Sequence, residues 1–203
     1  MGVKTANQSK IVVVLNPTTL RHRGLSVKCS DNSFNKNWPL GHAQYSLGGN
    51  LGPLVPAVSD AKRNGFDDVL WMLDDFIQEM TILNVFFLMQ NRYGKLELAT
   101  PVDNGCLLPG TMRNTILDLK DRIMQDQGIS VTERPISIHE VMNAHSEGRL
   151  LEVIGTSTPS FVQPIKRIVY KGKHIELPTD ENSKYVKYLN LMIQDIMTGP
   201  SDH

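Results

Sequence analysis

Gly110-Thr111-Met112, Thr156-Ser157-Thr158 and Glu79 are the residues of this chain whose types and placement could do chemistry. The first triplet follows a Pro109 turn where a helical pattern begins. A helix start aims unpaired N–H groups and a positive dipole end at one spot, which suits a phosphate. Every helix has such an end, so the same residues also serve as an ordinary helix start. The second triplet follows a strand-like run and offers three hydroxyls with backbone amides. It is a second candidate anion cradle, and equally a polar turn. Glu79 follows Asp74-Asp75 and precedes the apolar run Val85-Phe86-Phe87-Leu88-Met89. A carboxylate there could hold a cationic ring nitrogen or simply face solvent. Residue types alone lead to a soluble α/β domain with a candidate phosphate-bearing ligand.

Other constellations lead elsewhere. His139 and His145, with Glu140 between them, lack the i, i+4 spacing that turns two histidines toward one metal, so no metal site is expected. Gly48-Gly49-Asn50-Leu51-Gly52 is glycine-rich but matches neither a Walker A loop nor a dinucleotide fingerprint, and reads as a tight loop. Cys29 and Cys106 form no metal or redox spacing, which points to a reducing compartment. Basic and acidic residues balance at 21 each, so the basic excess of a nucleic-acid binder is missing. The longest apolar run is too short to cross a bilayer. Met1 to Gln8 is polar and has no signal-peptide core, so a cytoplasmic location is expected, with a mitochondrial one open if the N-terminus is incomplete.

The elements that must position these residues follow from hydrophobic period. Ser9 to Leu15 reads as a buried strand, and Asn16 to Gly52 as a long irregular segment. Residues 1–37 are thus expected to be irregular with one strand, and residues 38–203 to form the main domain. Pro53 and Pro56 open a helix with Leu54, Val58 and Ala61 inward, closed by Asn64-Gly65. Val69–Leu73 is a strand, and Thr81–Gln90 pairs with Lys95–Thr100 as a hairpin. A helix over about Arg113–Gln127 ends at Gly128, and Ile129–Arg134 is a strand. Ser137-Ile138-His139-Glu140 is a capping box opening a helix that ends at Gly148. Leu151–Gly155 is a strand, Ile165–Tyr170 pairs with His174–Leu177, and a helix over about Asn182–Met197 turns Val186, Leu189, Ile193 and Ile196 inward. The class is α/β or mixed α+β, with a mixed sheet.

The order of these segments resembles the branched-chain amino-acid aminotransferases, fold-type IV enzymes dependent on pyridoxal phosphate. The resemblance runs from Trp38-Pro39 to about Met197. It rests on Leu47-Gly48-Gly49-Asn50 with Gly52-Pro53, on Val69-Leu70-Trp71, and on Glu79 followed by Asn84-Val85-Phe86. Further along it rests on Leu96-Glu97-Leu98 with Thr100-Pro101, Leu108-Pro109-Gly110 with Arg113, and Glu147-Gly148-Arg149 with Glu152-Val153 and Gly155. It implies the large domain of that fold, with the family's small N-terminal domain absent. It also implies amino transfer between leucine, isoleucine or valine and 2-oxoglutarate. Glu79 would pair with the ring nitrogen of pyridoxal phosphate, and Leu108 to Met112, including Gly110 and Thr111, would cradle its phosphate. Thr158 would add a phosphate contact, and Pro159 would lie beside the substrate carboxylate.

Departures from the family pattern shape the expectation for activity. Ser46 stands where the resemblance implies the Schiff-base lysine, and a hydroxyl forms no imine and is a poor base at neutral pH. Leu51 and Ile82 replace a tyrosine and a threonine near the cofactor, and Ser160 and Gln163 fill the positions of a redox C-x-x-C. The reading is therefore a truncated or degenerate member with little activity and weak or lost cofactor binding. It would act as a homodimer or pair with an intact paralogue. The alternative is a non-catalytic dimerisation or phosphate-ligand-binding module built on the same fold.

Overall fold

The computed structural model describes residues 7–15, 23–31, 35–178 and 183–199. Strands β1 (Leu25–Cys29), β2 (Asp68–Leu73), β3 (Phe76–Met80), β4 (Asn84–Gln90), β5 (Leu96–Thr100), β6 (Ile129–Glu133), β7 (Leu150–Ser157), β8 (Phe161–Tyr170) and β9 (Lys173–Glu176) form one sheet. Its order is β3-β2-β1-β8-β7-β4-β5-β6, with β9 added to β8. Around it lie α1 (Gly48–Leu51), α2 (Val55–Arg63), α3 (Thr111–Asp118), α4 (Lys120–Gln127), α5 (Ile138–Ser146) and α6 (Lys184–Thr198).

The sheet is mixed, as the alternation of hairpins and helical crossovers requires. β1 pairs in parallel with both β2 and β8, and β5 with β6, whereas β4 is antiparallel to β5 and β7. The β4 run is buried on both faces. Val85, Phe87 and Met89 enter the cluster that packs under Ile138, Val141 and Ala144 of α5, whereas Phe86 and Leu88 pack against Met112, Ile116 and Ile123 of α3 and α4 and against α6. Alternation across the pleat explains how one uninterrupted apolar run feeds two cores. A third cluster sets Leu54 and Ala61 against Trp71.

Five expectations are corrected. Ser9–Leu15 is not a buried strand: Ile11 to Leu15 lie 71–92% exposed and outside any strand. A β-branched run gains little unless paired and covered. The central slot between β2 and β8 is taken instead by Leu25–Cys29, inside the stretch expected to be irregular. The strand expected to begin at Thr81 is two: β3 ends at Met80, residues 81–83 turn, and β4 starts at Asn84. The helix ending at Gly128 is broken at Leu119, and Gly128 closes it in the left-handed region at φ 67°. Ile196 of α6 is 52% exposed rather than inward, whereas Val186, Leu189 and Ile193 are buried. α6 begins at Lys184, and the start expected near Asn182 falls outside the described residues. No helix among the described residues is long and apolar enough to cross a membrane.

Only half of the capping box forms as the spacing suggests. The Glu140 amide donates to Ser137 Oγ at 3.1 Å, but the Glu140 carboxylate accepts from Arg134 at 2.7 and 3.0 Å. Arg134 also grips Glu97 through Nε and Nη2 at 2.9 and 3.0 Å. Hydrogen bonding from Arg134 is the largest cause holding the Glu97 carboxyl below the ordinary glutamate value. A lowered folded value stabilises the protein above the unfolded value and is lost as pH falls through the folded one. Arg134→Met should therefore cost about 1–2 kcal/mol near neutral pH, counting Glu97 alone because Glu140 is more exposed and screened. The deficit should shrink below about pH 4. Urea titrations at pH 7 and pH 3.5 check this; an equal deficit at both would contradict it.

Candidate functional site

The turn between β3 and β4 is fixed from below before it presents anything to a ligand. Asp68, buried on β2, accepts from the Thr81 amide at 3.1 Å, and the Trp71 indole N–H donates to Thr81 Oγ1 at 3.1 Å. The carbonyls of Met80 and Thr81 are thereby turned toward Lys36, whose Nζ donates to them at 2.9 and 3.0 Å. Its third contact is the Glu79 carboxylate, 2.8 Å from Oε1, with side chains only 8% and 3% exposed. A buried carboxylate and ammonium survive only when each is fully hydrogen-bonded.

Glu79 is equally well provided. Besides Lys36, Oε1 has the Asn37 side-chain amide at 3.5 Å, while Oε2 accepts from Asn84 Nδ2 at 3.0 Å and the Leu108 amide at 3.1 Å. Burial pushes the Glu79 carboxyl above its ordinary value, and Lys36 is the strongest influence in the opposite direction. Asn84 also donates to the Leu108 carbonyl at 2.8 Å, and Asn37 to the Cys106 carbonyl at 3.0 Å. The strand end and the loop before α3 are thus tied together around Glu79.

That loop delivers Gly110 as the N-cap of α3, with no side chain capping the helix and no acidic residue in its first turn. The first amides of a helix lack intrahelical partners, so this end is open to an anion. Arg113, the third residue of α3, is buried and committed elsewhere, donating to the Pro101 carbonyl at 2.8 Å and to Glu133 at 2.6 Å. Across from α3, at the end of β7, Thr156 is buried and its hydroxyl oxygen has no hydrogen-bond partner. Ser157 and Ser160 hydroxyls bond each other at 2.7 Å.

A cavity of about 320 Å³ joins these parts. Glu79, Leu108, Gly110, Thr111, Met112, Thr158, Pro159 and Ser46 all line it. Ser46 and Pro159 sit at the exposed rim, with Thr158 beside them. Leu51 and Ile82 line it too, Ile82 outward. The histidines lie elsewhere: His139 meets Asp75 at 3.3 Å and the edge of Tyr170. Both cysteines are buried and free.

The family model for amino-transferase class IV matches residues 2–168. The chain belongs to the class IV aminotransferases. It is 35% identical over 188 residues to the mitochondrial branched-chain-amino-acid aminotransferase of Bos taurus, covering 90% of this chain and 47% of the relative. With the mitochondrial enzyme of Schizosaccharomyces pombe it shares 33% over 190 residues, 91% of this chain and 44% of the other. The fold is also that of the Thermobaculum terrenum branched-chain amino acid aminotransferase in its PLP form, at a TM-score of 0.66 and 21% identity, covering 87% of this chain and 52% of that one. The chain spans about half the length of the curated relatives it matches.

Within this class IV aminotransferase chain, sequence reasoning missed three members of the Glu79 cluster. Asn84 was legible as part of a motif but not as the side chain that clamps Glu79 to Leu108. Lys36 and Asn37 lie just before the Trp38-Pro39 motif, inside a segment without period, where a lysine reads as solvated. No local pattern announces that a distant carboxylate will bury it. Thr156 was visible as a hydroxyl after a strand, but only packing reveals that its oxygen is orphaned.

Proposed function

We propose that this chain is a branched-chain-aminotransferase scaffold that keeps the phosphate end of a pyridoxal-phosphate site and lacks the amine chemistry of amino transfer. The observation that carries it is the convergence of an uncapped α3 start with Thr156 and Thr158 on one cavity. An orphaned buried hydroxyl lining the same cavity as a helix start suits a phosphate, whose oxygens accept from both hydroxyl and amide. At that end the residues fit the cofactor. At the other they do not: Glu79 has its acceptor positions filled by this chain's own donors, and Ser46 brings no amine to the rim. When bound to an intact relative, pyridoxal phosphate supplies an electron sink; no step through it is derived for this chain. Leucine, isoleucine or valine with a 2-oxo acid are the substrates this scaffold inherits, with turnover near background.

Calorimetric titration with pyridoxal phosphate should give a dissociation constant of roughly tens of micromolar to millimolar, the level of a few charge-assisted contacts. Thr156→Val should weaken it about tenfold by removing one hydroxyl from an anion. Borohydride reduction should leave no adduct in a peptide spanning Ser46, and leucine-dependent glutamate formation should stay at background. Submicromolar affinity, or a stoichiometric adduct on one lysine together with glutamate formation, would sink this reading. Lys36 is the lysine to inspect first, because it lines the cavity.

A further inference from the structure

Lys36 is the one basic side chain among the described residues lining the cavity, and all its donors are spent inside the protein. It offers nothing to a ligand phosphate. What it does is fill the Glu79 carboxylate from the loop side, while Asn37, Asn84 and the Leu108 amide take the remaining approaches. A carboxylate has room for about four donors, two on each oxygen. A ligand cation arriving at this end would find no acceptor unless one of these donors left.

We infer that Lys36 is an intramolecular occupant of the cation seat on Glu79, so that the cavity favours phosphate monoesters with a neutral body over those carrying a basic ring nitrogen. The backbone that receives Lys36 is itself fixed, since Asp68 holds the Thr81 amide and Trp71 holds the Thr81 hydroxyl. Swinging Lys36 out would strand the Met80 and Thr81 carbonyls and expose a buried carboxylate to an unmatched space. The seat is therefore closed in the resting protein rather than loosely guarded. Specificity of this kind comes from what the site refuses: a ring nitrogen that reaches Glu79 must displace a better-placed ammonium. The inference rests on the phosphate reading above, deepening it by naming the ligand class.

The test compares two probes on the full chain, pyridoxine 5′-phosphate and benzyl phosphate, which share the phosphate reach; benzyl phosphate lacks the ring nitrogen and the polar ring substituents, which stay the same across the protein variants compared. On the unmodified protein benzyl phosphate should bind more tightly than pyridoxine 5′-phosphate, by about threefold or more. In Lys36→Met, pyridoxine 5′-phosphate should tighten at least tenfold while benzyl phosphate moves less than threefold. A tenfold preference for pyridoxine 5′-phosphate in the unmodified protein overturns the inference, as does a Lys36→Met variant in which neither ratio moves. If the variant does not fold, the comparison on the unmodified protein decides. If neither probe binds, the phosphate reading fails by itself, and chemical rescue decides the role of Lys36. Propylammonium chloride should then raise the melting temperature of Lys36→Ala but not of the unmodified protein. No rescue would mean that Glu79 does not present a cation seat.

Discussion

Gly110→Ala should destabilise the protein by about 2–5 kcal/mol and remove measurable phosphate affinity. The backbone at Gly110 lies at φ −66°, ψ 140°, which alanine adopts freely, so conformational strain contributes nothing. The whole effect comes from one neighbour. A β-carbon at this position would overlap Asn84 Oδ1. Asn84 cannot step aside without loss, because its Nδ2 donates to Glu79 Oε2 at 3.0 Å and to the Leu108 carbonyl at 2.8 Å. Moving it leaves a buried carboxylate oxygen short of a donor; moving Gly110 instead shifts the start of α3 out of the cavity wall. Either response damages the anion-binding end. Urea unfolding and titration with inorganic phosphate read the two effects separately. The double variant Gly110→Ala/Asn84→Ser should recover part of the stability by removing the overlapped atom. A Gly110→Ala protein with an unchanged unfolding midpoint would mean that the Asn84 side chain is not held as described.

Breaking the Lys36–Glu79 pair from one side should cost about 3–5 kcal/mol, because each substitution leaves the other charge buried without its partner. Lys36→Met strands the Glu79 carboxylate and the Met80 and Thr81 carbonyls; Glu79→Gln strands the ammonium. The double variant Lys36→Met/Glu79→Gln removes both charges, though the Met80 and Thr81 carbonyls still lose their donor, so it should cost clearly less than the sum of the two single variants. The cycle should thus show strong coupling. It also has a pH signature. Burial already raises the Glu79 carboxyl, with Lys36 the main opposing influence, so Lys36→Met raises it further. A carboxyl whose folded value is raised favours the folded state when protonated, and the folded state loses ground as pH rises through that value. The Lys36→Met deficit should therefore be largest near pH 7.5 and smaller at pH 5. Additive single variants, or a deficit that grows toward acid, would show that the two groups are not a coupled pair.

Much of this protein is legible along the chain, where local chemistry settles the outcome. Gly128 ends a helix because the left-handed turn needs glycine, Ser137 caps α5 because its hydroxyl reaches the Glu140 amide, and the Val85–Met89 run must be a strand buried on both faces. The collinear motifs around Gly48, Glu79, Gly110 and Glu152 mark the aminotransferase scaffold, and Glu79, Gly110, Thr111, Met112 and Thr158 line one cavity. What the chain could not decide by itself was which of two apolar stretches enters the sheet centre. Ile11 to Leu15 has the stronger strand propensity, yet Leu25–Cys29 fills the slot, because register between β2 and β8 is a matter of partners far along the chain. The state of Glu79 was hidden for the same reason. Its neighbours in sequence say nothing of Lys36, 43 residues away by number, which only the folded chain brings within 2.8 Å. Whether a buried carboxylate awaits a ligand or is already answered depends on desolvation and on every donor around it, and those are set by tertiary packing alone.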